Sequence, residues 1–270
     1  MEVNFIQALV LGIVQGITEF IPISSTAHLR IIPEILGWED PGTEFSAVIQ
    51  LGTLIAVFVY FRDDIFKISK AALISLKKYN LFETSDSRIA WGITTATIPI
   101  VFFGLCFKDF IKNEARQLWI IGISLIILAI FLYLSEKFSK RNKKISEINF
   151  WQIQLIGLTQ VLALIPGCSR SGSTIMGGFI IGLNREESAR FSFLLGLPAI
   201  LGSSLYEFRE LSNFGITYKD YSIIIVGIIS AFLSGYVSIK FLLSFIKNFG
   251  TIVFVIYRIL LGILILTIFI

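Results

Sequence analysis

Charged residues are scarce in this chain of 270 residues: Asp, Glu, Lys and Arg together make up 16%, against about 25% in soluble domains. Hydrophobic residues make up 55%, and the mean hydropathy is +0.81. Several apolar runs approach or exceed the ~17–25 residues that a helix needs to cross a bilayer. The composition therefore excludes a soluble, disordered or coiled-coil protein and predicts a membrane protein with several transmembrane segments.

Cysteine and histidine are rarer still. Cys106 and Cys168 both lie in apolar surroundings and form no CxxC pair, so no disulfide framework or cysteine metal site is expected. The single histidine, His28, excludes metal sites that need several histidines.

The net charge is only +4, which in a membrane protein reflects basic cytoplasmic loops, and we expect no nucleic-acid partner. The first four residues include no Lys or Arg, so no cleavable signal peptide is expected.

What is present is a set of long apolar runs. They predict six transmembrane helices, at 45–61, 89–107, 118–134, 191–206, 221–246 and 251–270. Two further apolar stretches, 5–23 and 151–183, are interrupted by Pro and small polar residues at 22–28 and 166–172. Non-helical backbone at membrane depth is tolerated only where protein buries it or where it lines a water-filled cavity. We therefore predict two re-entrant helix–loop–helix hairpins in an all-α polytopic membrane protein.

The distribution of Lys and Arg predicts the orientation. The connections 62–88 and 135–150 are rich in basic residues, whereas the three basic residues of 108–117 are offset by Asp109 and Glu114. The positive-inside rule places the two basic connections in the cytoplasm and 108–117 outside. The acidic loop before residue 45 then also lies outside, and the first hairpin enters and leaves the membrane from the outer face.

An internal repeat relates the two halves of the chain. Four pairs of positions match: Gly12 with Gly157, Gln15 with Gln160, Pro22 with Pro166, and Gly52 with Gly196. We predict a single integral-membrane domain, 1–270, with repeat 1 at about 1–135 and repeat 2 at about 150–270. Each half holds one hairpin and three spans, and because three is odd the second half is inverted. The two broken loops then meet near the middle of the membrane, where inverted-repeat transporters place their sites.

The first broken hairpin combines carboxylate, amide, hydroxyl and imidazole groups, on Gln15, Glu19, Ser24, Ser25, Thr26 and His28. A charged side chain at the centre of a membrane helix costs roughly 2.5–3.5 kcal/mol on insertion scales, so Glu19 needs a reason to be there. One interpretation is structural: the hydroxyl residues cap a helix and Glu19 is hydrogen-bonded nearby. The other is a polar pocket with a hydroxyl nucleophile, a carboxylate and a histidine whose unperturbed pKa suits proton transfer.

The second broken hairpin predicts a phosphate-binding loop. It carries Ser169, Arg170, Ser171, Gly172, Ser173 and Thr174. Arginine offers a planar fork of donors to phosphate oxygens, and glycine lets backbone N–H groups approach an anion at the start of a helix. Alternatively, Arg170 pairs with Glu19 across the repeat axis, and the two interpretations are compatible.

Two further basic residues, Lys240 and Arg258, fall within predicted spans. We expect Lys240 to extend its ammonium group to the membrane interface. Arg258 is a candidate for lining a cavity, because ionisable residues inside membranes are costly and commonly functional.

The two hairpins carry a family resemblance. The segment from Gln15 to His28 resembles the (E/Q)xxxE and Ser-Ser-Thr-x-His signature of bacterial undecaprenyl-diphosphate phosphatases, the bacitracin-resistance protein family. The segment from Pro166 to Thr174 is similar to the PGxSRSGxT motif of that family, and the resemblance extends over nearly the whole chain. It implies hydrolysis of undecaprenyl diphosphate to undecaprenyl phosphate and inorganic phosphate. This reaction recycles the lipid carrier of peptidoglycan and cell-wall synthesis and confers bacitracin resistance. The expected location is the bacterial plasma (inner) membrane, with an active site that opens to the outer face.

The resemblance also suggests roles for the site residues. Ser25 is the preferred nucleophile, Glu19 and His28 handle protons, and Arg170 binds the diphosphate; a competing assignment makes His28 the nucleophile or the activator of water. The other expected diphosphate-binding residues are Gln15, Ser24, Thr26, Ser169, Ser171, Gly172 and Thr174.

The expected cofactor is a divalent cation, Mg2+ or Ca2+, bound with the diphosphate. Glu19 is the candidate protein ligand, since Gln15 replaces the Glu of many family members. The expected partners are the polyprenyl diphosphate lipid, membrane lipids and, as an open alternative, further copies of the chain. The alternative function is a transporter or flippase of the same carrier lipid, because broken helices in inverted repeats are common in transporters.

Overall fold

The computed structural model describes residues 3–213 and 217–269, without the side chain of Asn213. Met1 and Glu2, at the start of the predicted domain, and Ile270, at the end of the sixth predicted span, lie outside the described residues. The regular structure of the described residues is helical, and the only β-type contact among them is an isolated bridge between Lys143 and Leu183. The predicted all-α class is confirmed.

The helices are α1 Phe5–Phe20, α2 Ser25–Leu36, α3 Gly42–Tyr60, α4 Arg62–Lys77, α5 Ser85–Ala96, α6 Ile98–Cys106, α7 Lys108–Lys112, α8 Leu118–Phe138, α9 Phe150–Gln160, α10 Arg170–Ile180, α11 Arg185–Asn213, α12 Tyr218–Phe249 and α13 Ile252–Ile268. Short 3-10 turns occur at Glu114–Arg116, Ile145–Glu147 and Val161–Leu164.

Five of the predicted spans correspond to helical segments that are long and apolar enough to cross a membrane, counted over the described residues: α3, α5 with α6, α8, α11 and α12. The sixth, α13, has 17 residues, the lower limit for a transmembrane helix. The second span is broken between Ala96 and Ile98, because Pro99 has no N–H to continue the helical hydrogen bonds. The basic connection after α3 is not a plain loop, since it forms α4.

The outer surface of the bundle is apolar. On α12, the exposed residues Ile225, Ile229, Leu233, Val237 and Phe241 recur every four positions, so they form one stripe along the helix. Comparable exposed apolar side chains cover α8 and α13. Apolar surface of this extent faces lipid, and the chain is a multi-pass membrane protein.

Ion pairs define two opposite faces of the bundle. Lys112 contacts Glu44 at the start of α3 and Glu207 near the end of α11, at 3.0 and 2.7 Å. Arg190 near the start of α11 contacts Asp64 just after α3, at 2.8 Å. Helices α3 and α11 therefore run antiparallel. We call the end with residues 30–44, 108–117 and 207–210 the upper face, and the end with 62–88, 135–150 and 185–190 the lower face.

The α1–α2 hairpin enters and leaves at the upper face. Helix α1 runs parallel to α12: Gly12 packs against Ser230, and Ser238 donates to the carbonyl of Ile17 at 2.9 Å. The start of α1 thus lies beside the start of α12. At the other end of the hairpin, Arg30 of α2 contacts Asp40 of the upper face at 3.4 Å.

The α9–α10 hairpin enters and leaves at the lower face. Arg88 donates to the carbonyl of Ile148, just before α9, at 3.0 Å. Just after α10, the carbonyl of Gly182 accepts from the backbone N–H of Asn142 at 3.1 Å. The two hairpins therefore enter from opposite faces and meet inside the bundle, which is the arrangement that an inverted repeat requires.

Candidate active site

The broken loops share an unusual feature at the start of the helix that follows. Ser24 caps α2 with φ of 75°, and Ser169 caps α10 with φ of 67°. Each hydroxyl accepts a backbone N–H of its own first turn, from Ala27 at 3.4 Å and from Gly172 at 3.2 Å. Residues other than glycine rarely adopt positive φ, and such strain concentrates at functional sites.

Glu19 joins the two hairpins. Its side chain is nearly buried, with 6% of the residue exposed. Oε1 accepts a hydrogen bond from Nη2 of Arg170 at 2.5 Å. Oε2 accepts from Nε2 of Gln15 at 2.6 Å and from Oγ of Ser25 at 2.8 Å. The predicted Glu19–Arg170 pair is confirmed, and the same carboxylate accepts a hydrogen bond from the Ser25 hydroxyl.

Arg170 is anchored at a second point, on α11. Its Nη1 donates to the carbonyl of Gly196 at 2.9 Å. A side chain at position 196 would collide with the guanidinium, because a Cβ there would lie 2.8 Å from Nη1. Gly196 was matched with Gly52 in the sequence repeat, and its contact with Arg170 was not predicted.

His28 is not hydrogen-bonded to Ser25 or Glu19. Nδ1 lies 2.7 Å from the carbonyl oxygen of Ser24, and Nε2 lies 2.7 Å from the hydroxyl of Tyr257 on α13. A carbonyl oxygen only accepts, so Nδ1 carries a proton, and in the neutral ring Nε2 accepts from Tyr257. The imidazole thus holds Ser24, and Tyr257 is a site residue that the sequence motifs did not reveal.

The other predicted phosphate-binding groups lie around these residues but are already hydrogen-bonded. The hydroxyls of Ser24 and Thr26 are 3.0 Å apart, and those of Ser169 and Ser171 are 3.1 Å apart. Thr174 donates to the Arg170 carbonyl at 2.9 Å, and its hydroxyl lies 2.6 Å from that of Ser192.

The N-termini of α2 and α10 can bind an anion. The first N–H groups of a helix have no partner within it, and the helix dipole favours negative charge there. These two N-termini lie next to Arg170 and Ser25, where phosphate oxygens would need donors.

The donor set does not fit a resident metal ion. The described residues contain no group of three or more His, Cys, Asp or Glu side chains that could hold one. Both oxygens of Glu19 are engaged by Arg170, Gln15 and Ser25. Mg2+ and Ca2+ require about six oxygen ligands. Any cation in this site therefore needs most of its oxygens from another source.

A cavity of about 400 Å³ opens at the lower face. It is lined by Tyr60, Phe61, Asp64, Glu186, Arg190, Lys240, Leu243, Ser244, Lys247 and Asn248. Phe61 on its wall packs against Phe193 at 6.2 Å, and Phe193 packs against Phe20 at 5.1 Å, between ring centroids. Phe20 directly follows Glu19, so aromatic rings separate this cavity from the site. Lys240 is exposed, as expected for a lysine that extends towards the interface.

Comparisons with known proteins identify similar sequences. The sequence model of a family described as Bacitracin resistance protein BacA matches residues 8–264. The chain is 48% identical over 271 residues to an undecaprenyl-diphosphatase of Chlorobium chlorochromatii (strain CaD3), covering 97% of this chain and 96% of that protein. It is 48% identical to an undecaprenyl-diphosphatase of Chloroherpeton thalassium, with 97% and 96% covered. It is 46% identical to one of Myxococcus xanthus, with 97% and 88% covered.

Proposed function

The chain belongs to the bacitracin resistance protein BacA family, and from this premise we infer that it is an undecaprenyl-diphosphatase. Its relatives are named undecaprenyl-diphosphatases, and the reaction we propose for this chain is hydrolysis of undecaprenyl diphosphate to undecaprenyl phosphate and inorganic phosphate. Those names favour the enzyme over the transporter alternative. The observation that carries the chemical proposal is the hydrogen-bonded set of Ser25, Glu19 and Arg170, contributed by both hairpins.

The diphosphate binds where the N-termini of α2 and α10 converge. Arg170 offers its guanidinium to the phosphate oxygens, and first-turn backbone N–H groups of both helices add donors. The second hairpin forms one side of the diphosphate-binding site, with Ser169, Ser171, Gly172 and Thr174. The first hairpin forms the other side, with Gln15, Ser24 and Thr26. The polyprenyl tail lies along the apolar surface of the bundle in contact with membrane lipids.

The reaction proceeds in two steps. Oγ of Ser25 attacks the terminal phosphorus, its proton passes to Oε2 of Glu19, and the bond from phosphorus to the bridging oxygen breaks. Undecaprenyl phosphate leaves with that oxygen. Water then attacks the phosphorus of the phosphoserine, the bond from phosphorus to Oγ breaks, and Glu19 returns its proton to Oγ, which restores the Ser25 hydroxyl. Both protons of the water leave with the inorganic phosphate. Glu19 holds the proton between steps, and His28 keeps Ser24 in place beside the nucleophile.

A divalent cation would have to arrive with the substrate, because the described residues of this site do not form a metal site of their own. Phosphoryl transfer depends mainly on positioning and on neutralising phosphate charge. Because Glu19 is the one carboxylate of this set and both of its oxygens are engaged, the diphosphate itself would supply most ligands of Mg2+ or Ca2+, whose charge would offset that of the phosphates.

The charge distribution supports the proposed location. The lower face carries the basic connections 62–88 and 135–150, and on the positive-inside rule we propose that it faces the cytoplasm, with the chain in a bacterial plasma (inner) membrane. The site then opens to the outer face, where recycled carrier lipid for peptidoglycan synthesis is generated. The number of copies of the chain that assemble stays a prediction.

The test is phosphate release by purified protein in detergent, where transport contributes nothing. We expect wild-type protein to release phosphate from undecaprenyl diphosphate, and Ser25→Ala and Arg170→Ala to lose roughly 100-fold or more of kcat/KM. Ser222→Ala, at a half-buried position on α12, and Arg209→Ala, at an exposed position on α11, are matched controls that keep wild-type rates. Phosphate release at the wild-type rate in both site variants would show that the site is elsewhere. If the wild-type protein released no phosphate, the transporter alternative would be favoured.

A further inference from the structure

Arg258 of α13 is fully buried, with 0% of the residue exposed, although the sequence suggested that it lines a cavity. Its guanidinium donates four hydrogen bonds, all to backbone carbonyls. Nε donates to Leu125 of α8 at 3.2 Å. Nη1 donates to Pro22 of the first hairpin at 3.1 Å. Nη2 donates to Gly167 and Cys168 of the second hairpin, at 2.8 and 3.2 Å.

Burial of the Arg258 guanidinium without an ionic partner costs free energy that packing alone does not require. A buried charge without an ionic partner is strongly disfavoured, and the described residues place no carboxylate within ion-pair distance of Arg258. An apolar side chain of similar volume would fill the space without this cost. The four carbonyls satisfy the donors of the guanidinium, but they leave its positive charge unneutralised.

Three of the four carbonyls that accept from Arg258 lie in the loops that carry the reacting groups. Pro22 lies between Glu19 and Ser25, and Gly167 and Cys168 directly precede Ser169 and Arg170. The guanidinium also lies under the first turn of α10, because a Cβ on Gly172 would be 3.1 Å from Nη1. One side chain thus fixes the position of each loop relative to the other and to α8.

Charge gives a second argument. Glu19 and Arg170 neutralise each other, and His28 is neutral when its Nε2 accepts from Tyr257. Arg258 therefore leaves one unpaired positive charge beneath the two loops. A diphosphate is strongly anionic, and preorganised positive charge in a site that excludes water stabilises phosphoryl transfer.

We propose that Arg258 is a positioning residue for the phosphatase reaction, which ties the two hairpin loops together and supplies the net positive charge that the diphosphate requires. The proposal rests on the proposed function, and it extends the machinery to α13, outside both sequence motifs. A planar cation is required in this role, since only a guanidinium offers several in-plane donors together with a charge.

The experiment is chemical rescue of Arg258→Ala in detergent. We expect kcat to fall roughly 100-fold or more, in the range seen when one transition-state donor is removed, with a smaller change in KM. Millimolar guanidinium should restore at least a tenth of the lost rate. Urea, which is planar but neutral, and methylammonium, which is charged but not planar, should not. Lys240→Ala, another basic residue on a membrane helix, is the control that keeps wild-type kcat and shows no response to guanidinium.

Arg258→Lys covers the case in which the alanine variant does not fold. Lysine keeps the charge but has only three donors, all on one nitrogen, so it cannot reproduce the four hydrogen bonds of the guanidinium, and we expect a loss of at least tenfold in kcat with a thermal unfolding midpoint close to wild type. Wild-type kcat in either variant, equal rescue by urea, or loss of fold in both variants would overturn the proposal. Wild-type protein assayed beside them separates this result from failure of the proposed function, because that failure abolishes phosphate release in wild type as well.

Discussion

At the residue scale, the Glu19 carboxylate distinguishes one hydroxyl of the site, that of Ser25, by accepting its hydrogen bond. It accepts a hydrogen bond from Ser25 at 2.8 Å while Arg170 and Gln15 hold it from other directions. A serine hydroxyl is a weak nucleophile until a neighbouring base takes its proton. His28 is differently placed, since one ring nitrogen bonds Ser24 and the other bonds Tyr257. The geometry therefore favours Ser25 over His28 as the group that bonds to phosphorus.

We predict that the phosphorylated intermediate forms on Ser25. Undecaprenyl diphosphate labelled in its terminal phosphate, quenched in acid during turnover, should leave label on the protein, because phosphoserine is stable in acid. Ser25→Ala should remove the label completely. Tyr257→Phe, which removes one neutral hydrogen bond worth about 0.5–1.5 kcal/mol, should keep it. A label that is lost in acid but survives in base would place the phosphoryl group on His28 and contradict the prediction.

Within its two motifs, the sequence predicted one contact that the structure contains, between Glu19 and Arg170, and the catalytic roles of the motif residues stay predictions. The Glu19–Arg170 pair was expected, because an intramembrane acid and base in matching loops need each other. Gly196 and Tyr257 were not expected as partners. Each comes from a helix far along the chain, where the composition is ordinary for a membrane span, and only tertiary packing brings Tyr257 to His28.

At the element scale, close packing of α1 on α12 sets the position of Glu19. Gly12 and Gly16 of α1 face α12, and a Cβ on either would overlap with atoms of Ser230 or Ser234. Small residues allow helix backbones to approach closely in membranes, where van der Waals packing replaces the hydrophobic effect. Glu19 lies less than one turn after Gly16, so a shift of α1 moves the carboxylate.

We predict opposite effects of the same substitution at two helical glycines. A Cβ on Gly16 would lie 2.5 Å from the Ala231 carbonyl oxygen and 2.6 Å from the Gly235 nitrogen. Backbone atoms cannot move aside easily, so Gly16→Ala should destabilise the fold by about 1–3 kcal/mol and lower kcat. Gly202 of α11 has open space around it, and Gly202→Ala should stabilise by about 0.5–1 kcal/mol.

Thermal unfolding in detergent, followed by circular dichroism, measures both changes, and phosphate release measures kcat. A Gly16→Ala variant with the stability and rate of Gly202→Ala would show that α1 does not depend on this contact.

The sequence predicted which helices and hairpins the chain contains better than it predicted the residues at which the helices begin and end. Apolar runs predicted the six spans, and Pro with small polar residues predicted both broken hairpins. Helices α11 and α12 extend beyond the predicted 191–206 and 221–246, because their charged first and last turns lie at the faces of the bundle, where hydropathy no longer marks a helix. Helix α4 was missed for a similar reason, since its mixed polar composition is that of a helix lying outside the apolar core.

At the scale of the whole molecule, the charges are sorted to the two ends of the bundle. Helix α11 has 29 residues, a length of about 43 Å, which exceeds the ~30 Å hydrocarbon core. Its first turns therefore reach the lower face, where Arg185 contacts Glu136 at 2.5 Å. Its last turns reach the upper face, where Glu207 contacts Lys112. The sequence predicted this separation from loop charges alone, and the ion pairs place the predicted loops together at each end.

We predict that the upper face is outside the cell and the lower face is inside. Single cysteines replace Asn113 at the upper face and Ser146 at the lower face, both exposed, in a chain in which Cys106→Ser removes the exposed native thiol. A membrane-impermeant maleimide applied to intact cells should label Asn113→Cys and leave Ser146→Cys unlabelled, because the basic connection around Ser146 stays in the cytoplasm. After the membrane is permeabilised, both should react, which verifies that Ser146→Cys is accessible. Labelling of Ser146→Cys in intact cells would reverse the orientation. It would then place the α1–α2 hairpin and its nucleophile on the cytoplasmic side.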